Sequence, residues 1–193
     1  MEQLKMYLLP EIDVPSLTLP EGYSFSHYKT EEDQKAWCEC CTNGALIDES
    51  IGTEAFKRAI LDNPIDIYED VLFLAHGGEH IATATCYINN DGVGDLHMVG
   101  MKTEWRGKGL AKYLVYEAVR HLNGRDVPYI FLTTDEFRKS AVRTYLDAGF
   151  LPVEYDTGMK ERWEIMLKDI GVRSSMMLHD DGSFYRVIYG KTE

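Results

Sequence analysis

Apolar and polar residues alternate in several short stretches of the chain, which is the pattern of half-buried β-strands. The first twenty residues contain Pro10, Pro15 and Pro20, so residues 1–20 are predicted to form an extended lead-in. The predicted strands lie in GYSFSHYKT (22–30), VLFLA (71–75), IATATCYI (81–88), GDLHMVGM (94–101), PYIFLTTD (128–135), FLPVEY (150–155) and SFYRVIYG (183–190).

Helical periodicity occupies most of the segments between these strands. The longest predicted helix has apolar residues at every fourth position and a stop signal in Asn123-Gly124. Strands therefore alternate with helices, as in a mixed α/β protein. Helices are predicted from Thr30 to about Asn43, from Thr53 to Leu61, from Arg106 to Leu122, and in RKSAVRTYLDAG (138–149) and MKERWEIMLKDIG (159–171).

The length and composition fit one folded domain. The 193 residues are 45% hydrophobic, so residues 1–193 are interpreted as a single domain that ends in a C-terminal helix and strand (155–193). The longest apolar runs are far shorter than the roughly 20 residues needed to cross a bilayer. The N-terminal ten residues do not resemble a secretory signal. We therefore expect a cytoplasmic protein with no membrane partner.

Charge and cysteine content narrow the function classes. The net charge of −12 argues against a nucleic acid partner. Three of the four cysteines lie in WCECC (37–41), where we expect a buried helix face and not a metal site or disulfides. Between Lys102 and Arg143, nine Lys/Arg and five Asp/Glu give a local net charge of +4. This favours an anion site in that segment, with chance placement as the alternative.

The stretch HGGEH (76–80) fits the H-x-x-E-H pattern of inverted zincins, in which two histidines bind zinc and the glutamate acts as base. That chemistry requires a helix, in which each of Gly77 and Gly78 would cost roughly 1 kcal/mol relative to alanine. Because strands are predicted on both sides, we expect a hairpin turn and no metal. A metallohydrolase is kept as an alternative.

The segment RGKGLA lies between a predicted strand and the first turn of the longest helix. Free N–H groups and the positive end of the helix dipole point outward there, and glycines let an anion approach the backbone. The segment is neither a Walker loop nor a G-x-G-x-x-G turn. In the alternative interpretation, the glycines only loosen the helix start. The predicted pyrophosphate site consists of Arg106, Gly107, Lys108, Gly109, Leu110 and Ala111.

Two motifs together resemble the GNAT superfamily of acyl-CoA N-acyltransferases. RGKGLA matches the family's R/Q-x-x-G-x-G/A motif through Arg106, Gly109 and Ala111, and AVRTYLDAGF (141–150) matches its A-x-x-x-Y-x-x-x-G-F element. The resemblance is clear from about residue 71 to 152. It implies a bacterial-type acetyltransferase with a mixed, mostly antiparallel central sheet of about six or seven strands flanked by helices. It also implies direct transfer of the acetyl group from acetyl-CoA to a primary amine in a ternary complex, without a metal.

The resemblance further implies roles for individual residues. Val99 and Met101, on the strand before the loop, would offer backbone groups to the pantetheine arm. Tyr145 would be the acid that protonates the departing thiolate. Arg138 and Ala141 would lie on the acetyl-CoA channel, although Arg138 stands where many family members have asparagine.

The motifs do not fix a general base. His97 lies on the strand before the loop and has an ordinary pKa of about 6.5, but the strand register decides which face of the sheet it occupies. Asp95, His76, another carboxylate or a water relay are the alternatives.

The acceptor is predicted only as a class, a small-molecule or peptide amine. The acidic remainder of the chain favours a cationic acceptor. A homodimer through the last strand and the helix at 159–171 is left open. The alternative function is a non-catalytic acyl-CoA binding or sensor module, which Arg138 and the missing obvious base suggest.

Overall fold

The computed structural model describes residues 2–42 and 46–190, and the chain divides into two compact units. The contiguous unit is Asp13–Pro128, and the split unit combines Met1–Ile12 with Tyr129–Glu193. The strands are β1 (Leu4–Leu8), β2 (Tyr23–His27), β3 (Val71–His76), β4 (Glu79–Ile88), β5 (Gly94–Met101), β6 (Ile130–Thr134), β7 (Leu151–Glu154), β8 (Ser174–His179) and β9 (Phe184–Tyr189). The helices are α1 (Glu32–Thr42), α2 (Thr53–Phe56), α3 (Ile67–Asp70), α4 (Ala111–Asn123), α5 (Lys139–Asp147) and α6 (Met159–Asp169).

The contiguous unit is built on four antiparallel strands in the order β2-β3-β4-β5. Helices α1 and α4 both pack on β4. Burial of one large apolar side chain stabilises a fold by roughly 1.5–3 kcal/mol, so these two helices supply much of the core. The side chains that α4 buries are Leu114, Val115, Ala118, Val119 and Leu122.

An aromatic cluster under α1 forms the second part of this core. Trp37, Phe56 and Phe73 are fully buried, and the rings of Trp37 and Phe56 meet edge to face at 5.2 Å. Cys40 of α1 is buried as well, and burial raises the pKa of its thiol to about 12. The thiol is therefore protonated at neutral pH, which supports a packing role for the cysteine helix.

Strand β5 carries a bulge at its centre. Two of its residues, Met98 and Val99, oppose the single residue Ala84 of β4. Met98 has a φ of 50°, and its side chain packs against the aromatic cluster. A bulge takes one residue out of the regular hydrogen-bonded ladder, so one of these two residues has backbone groups available to other partners.

The split unit has five strands in the order β6-β1-β7-β8-β9. Strand β1 is antiparallel to β6 and β7, β7 is parallel to β8, and β8 is antiparallel to β9. Helix α6 packs on β7 and β9, and its Trp163 and Leu167 are fully buried. These pairings agree with the mixed, mostly antiparallel sheet that the family resemblance implies.

The predicted extended lead-in is wrong for residues 4–8, which form the interior strand β1 between β6 and β7 of the split unit. Leu4 and Met6 are completely buried, and Leu8 is 1% exposed. The three prolines begin only at Pro10 and do not interrupt this strand. The short alternation in LKMYL was the available signal for it.

The number of strands also differs from the prediction. Residues 2–42 and 46–190 contain nine strands in place of six or seven, because β1 and β8 are additional. The region after residue 155 therefore holds one helix and two strands. Strand β8 lies in SSMMLH, which does not alternate between apolar and polar residues.

The helices differ from the prediction mainly at their ends. Helix α4 begins at Ala111 and not at Arg106. Helix α2 continues into a π-helical turn at Lys57–Leu61, while α3 was not predicted. The predicted end of the cysteine helix at Asn43 lies outside the described residues. Among the helices of the described ranges, none combines the length and apolar character required to span a membrane.

Candidate active site

Two glycines shape the loop between β5 and α4. Gly107 and Gly109 have φ values of 73° and 71°, in the left-handed region that favours glycine. A Cβ atom at either position would meet nothing within 4 Å, so backbone conformation and not space requires glycine here. This conformation also explains why α4 starts only after the loop.

The first turn of α4 offers donors without a side-chain acceptor. Leu110 is its N-cap residue and makes no side-chain capping hydrogen bond. The first N–H groups of an α-helix have no partner within the helix. Combined with the positive end of the helix dipole, these groups favour an anion at this position.

The two basic residues of the loop contact the protein itself. Arg106 donates from Nε and Nη2 to the carbonyl oxygen of Met101 at 3.0 and 2.8 Å. Lys108 places its Nζ 4.4 Å from the centre of the Trp105 ring, which is a cation–π contact. Arg106 therefore bonds to a residue that was itself predicted as a backbone contact for pantetheine. Its remaining N–H donors are not engaged by Met101.

His97 lies on β5 next to the bulge and is half-buried. Burial lowers the pKa of its imidazole, and a hydrogen bond to the backbone carbonyl of Ala59 partly offsets this effect. This hydrogen bond shows which face of the sheet His97 occupies, because Ala59 belongs to the π-helical turn at Lys57–Leu61. An imidazole that donates one N–H to a carbonyl keeps the other nitrogen as an acceptor when neutral, as a general base requires.

A buried carboxylate lies two residues before His97. Asp95 is 9% exposed and faces Tyr87 of β4 in the strand register. Burial raises the pKa of Asp95 from 3.8 to about 6, although a hydrogen bond from Tyr87 lowers it. The ring of Tyr87 also lies 6.1 Å from that of His97. The sequence indicated Asp95 only as an alternative base, because the burial that changes its pKa depends on contacts across strands.

We expect Asp95→Asn to stabilise the fold at neutral pH. The folded-state pKa of about 6 lies above the ordinary 3.8, so the folded protein binds this proton more tightly than the unfolded chain does. Asp95 therefore opposes folding increasingly as the pH rises from about 4 to 6. At neutral pH this pKa difference lowers the free energy of unfolding by roughly 2–3 kcal/mol. Urea unfolding should show the gain at neutral pH and almost none near pH 4.

The matched control is Asp91→Asn, in the exposed turn before β5. We expect it to change stability little at either pH. A gain for Asp95→Asn that is equally large at both pH values would contradict this interpretation.

Tyr145 lies on α5 and is 6% exposed. Its ring meets that of Phe150 at 5.9 Å with an angle of 63° between the ring planes. Burial raises the pKa of Tyr145 to about 12, and nearby Arg138 has a smaller, opposite effect. The phenol therefore carries its proton at neutral pH.

The other residues of the motif AVRTYLDAGF (141–150) form most of α5 and the turn that follows this helix. Ala141 lies one turn before Tyr145 and is partly exposed. Gly149 has a φ of 97°, the left-handed conformation that commonly ends a helix, and the helix predicted at 138–149 also ends at this glycine. A Cβ atom at Gly149 would lie 2.7 Å from Cγ2 of Ile12. Both conformation and space therefore require glycine here.

Arg138 precedes α5 and forms an ion pair with Asp135, the residue that follows β6. Its Nε donates to Oδ2 of Asp135 at 3.0 Å, and Oδ1 of Asp135 accepts from Gln3 at 3.1 Å. Burial alone would raise the pKa of Asp135, but these hydrogen bonds outweigh it and lower the pKa. Arg138, which stands where many members of the resembled family have asparagine, is therefore held in an ion pair.

The stretch HGGEH forms the predicted hairpin turn between β3 and β4. The ring of His76 contacts that of Tyr23 in a tilted arrangement, with 4.5 Å between ring centres, whereas Nε2 of His80 lies 3.7 Å from Asp33. The two histidines therefore have separate partners and not the helical arrangement of a zincin. In the part of the chain that the structure describes, no three His, Cys, Asp or Glu side chains are placed to share a metal ion.

The predicted site residues divide between the two units. The base candidate His97, the backbone contacts Val99 and Met101, and the loop of residues 106–111 follow one another in the contiguous unit. Arg138, Ala141 and Tyr145 belong to the split unit, where they share one helix and its N-cap.

Comparison with known sequences extends the observations on the two motifs. Residues 18–150 match the sequence model of the "Acetyltransferase (GNAT) family". A mycothiol acetyltransferase of Streptomyces bingchenggensis is 29% identical over 149 residues, covering 75% of this chain and 48% of that protein. A mycothiol acetyltransferase of Nocardiopsis dassonvillei is 36% identical over 155 residues, covering 73% of this chain and 47% of that protein. The chain thus spans about half the length of these relatives.

Comparison with solved structures supports the fold. A GCN5-related N-acetyltransferase from Sphaerobacter thermophilus matches with a TM-score of 0.59 and 22% identity. The match covers 79% of this chain and 49% of that chain. At this identity the likeness shows the fold alone.

Proposed function

The chain belongs to the acetyltransferase (GNAT) family, and we propose that it transfers the acetyl group of acetyl-CoA to a primary amine by direct attack in a ternary complex. The observation that carries this proposal is the start of α4. There a loop with two left-handed glycines leads into a helix whose first N–H groups have no side-chain acceptor. A pyrophosphate is the anion that fits such a site in an acetyltransferase fold.

The residues of this loop fit the pyrophosphate of acetyl-CoA. Gly107 and Gly109 leave the backbone open, and Leu110 and Ala111 begin the helix. Arg106 has N–H donors beyond those it gives to Met101, and the ammonium of Lys108 is exposed on the same loop. Bound acetyl-CoA supplies an acetyl group that its thioester activates for attack.

The bulge of β5 supports a contact with the pantetheine arm. Since Arg106 already bonds the carbonyl of Met101, we expect Val99 to supply the main backbone contact and Met101 a secondary one. Arg138 and Ala141 remain proposed contacts on the side of α5. The ion pair with Asp135 holds the Arg138 guanidinium in place, so Arg138 would contact acetyl-CoA from a fixed position.

His97 and Tyr145 are the proposed base and acid. The lowered pKa of His97 keeps its imidazole neutral at pH 7, so it can take the proton that the attacking amine loses. Tyr145 holds its proton and can donate a hydrogen bond to the sulfur as negative charge develops there. Each group is therefore in the protonation state its role requires.

We propose a small-molecule or peptide amine as acceptor, with a cationic one favoured by the net charge of −12. The relatives are named for mycothiol, but this chain spans only about half of their length. A screen should therefore include polyamines, amino sugars and peptide N-termini together.

Calorimetric titration with acetyl-CoA tests the proposal. We expect binding in the micromolar range, weakened at least tenfold by Arg106→Glu with Gly109→Glu, because two carboxylates would then face the pyrophosphate. The control is Arg58→Glu with Gly92→Glu. Gly92 also has a left-handed φ, of 77°, with open space around it, so this control repeats the charge change and the backbone strain outside the loop.

Three outcomes distinguish the possible functions. Binding that only the loop variant loses, followed by thiol release with an amine, supports the acetyltransferase. Binding without turnover on any amine favours the sensor module. The absence of binding by folded wild-type protein would overturn both.

A further inference from the structure

A cavity of about 290 Å³ lies within the split unit, between the C-terminal half of α5 and the segment that joins α6 to β8. Its apolar lining comes from Leu146, Phe150, Leu151 and Val172. Its polar lining comes from Arg143, Asp147, Gly171, Arg173, Ser174 and Ser175. None of these residues takes part in the proposed acetyl transfer.

One of the two arginines of this cavity is already neutralised. Nε of Arg143 donates to both carboxylate oxygens of Asp147, at 3.0 and 3.1 Å. In contrast, across residues 2–42 and 46–190 the guanidinium of Arg173 makes no hydrogen bond or ion pair. Among the described residues, the lining therefore carries one positive charge without a counter-charge, in a protein with a net charge of −12.

The backbone next to Arg173 adds hydrogen-bonding capacity. Strand β8 begins at Ser174, but its register with β7 covers only Leu178 and His179. The first residues of β8 are therefore outside the ladder with β7 on the side where Leu151 lines the cavity. The hydroxyl of Ser175 donates to the carbonyl of Met176, whereas Ser174 is exposed.

We propose that this cavity binds a small organic carboxylate with a short apolar chain. The carboxylate would pair with the guanidinium of Arg173, which offers planar donors suited to two oxygens. The chain would lie on Leu146 and Val172, the partly exposed apolar residues of the lining, above the buried Phe150. A cation is disfavoured by Arg173, and an inorganic phosphate would leave the apolar lining unused.

Titration of the full chain with hexanoate, in the absence of acetyl-CoA, tests this site independently of the proposed function. Millimolar affinity is what a ligand of so few atoms can be expected to reach. Arg173→Glu should weaken binding at least tenfold, and Arg173→Lys should weaken it less. Ser174→Trp should also abolish binding, because its ring would occupy the cavity from an exposed position.

Matched controls come from the contiguous unit. Lys57→Glu reverses an exposed charge, and Ser24→Trp enlarges an exposed strand serine, both outside the cavity. These variants should bind hexanoate as the wild type does. The proposal is overturned if wild-type protein does not bind hexanoate, if hexylammonium or phosphate binds equally well, or if folded Arg173→Glu retains wild-type affinity.

Discussion

Tyr145→Phe is expected to reduce kcat by roughly 10²- to 10⁴-fold while leaving KM for acetyl-CoA and the thermal unfolding midpoint nearly unchanged. The substitution removes only a hydroxyl group. The buried ring keeps its contact with Phe150, and the helix keeps its end at Gly149. The expected loss is therefore specific to the step in which charge develops on sulfur.

The raised pKa of Tyr145 indicates how its hydroxyl would assist the departing sulfur. At about 12, the phenol is a weaker acid than an ordinary thiol, whose pKa is near 8.5. Complete proton transfer to the sulfur would then be unfavourable before the site rearranges. We expect the hydroxyl to act chiefly as a hydrogen-bond donor to the developing thiolate.

Thiol release at saturating amine and acetyl-CoA measures the effect, with circular dichroism to verify folding. The control is Tyr28→Phe, because Tyr28 is 4% exposed and has no proposed role in catalysis. Full activity in Tyr145→Phe would show that another group assists the departing sulfur. Equal losses in both variants would point to packing instead.

The second large effect is expected at Gly100, in the bulged half of β5. A Cβ atom at this position would lie 2.7 Å from the carbonyl oxygen of Cys40 and 3.2 Å from Cα of Cys41. Both are backbone atoms of α1, which a rotamer change cannot move. Gly100→Ala should therefore lower the free energy of unfolding by about 1–3 kcal/mol, the usual cost of overpacking.

Urea unfolding followed by tryptophan fluorescence measures this change, because Trp37 is fully buried in α1. The control is Gly124→Ala, where an added Cβ would have only ordinary contacts of 3.5 Å. We expect the control to be neutral or slightly stabilising. If Gly100→Ala were as stable as the wild type, α1 would have to move away from the bulge more readily than its packing indicates.

Local signals predicted some elements well. Strand β5 has the predicted bounds, since its apolar pattern precedes a glycine-rich loop. The end of α5 follows from Gly149, whose left-handed φ agrees with the sequence pattern. Elements whose stability depends on distant partners were missed. Strand β1 pairs with β6 and β7, more than a hundred residues away, and its five residues alone are too short to reveal this.

In the candidate site, too, residue types were predicted from local motifs, whereas contacts between distant residues were not. The motifs indicated Arg106 and Lys108 by residue type, but not that one bonds Met101 and the other lies over Trp105. The bulge at Met98 was not predictable from propensity, because it is a feature of the pairing between β4 and β5. The raised pKa of Asp95 likewise arises from burial that only the packed sheet creates.

The position of β1 has a consequence for the order of folding during synthesis. The contiguous unit occupies a single run of sequence and can fold as soon as residue 128 has left the ribosome. Strand β1 precedes this run in the sequence, but its partners β6 and β7 are translated only after it. The apolar side chains of β1 therefore lack their partner strands until more than a hundred further residues have been translated. Strand β1 is therefore made before the contiguous unit but can pair only after that unit is complete.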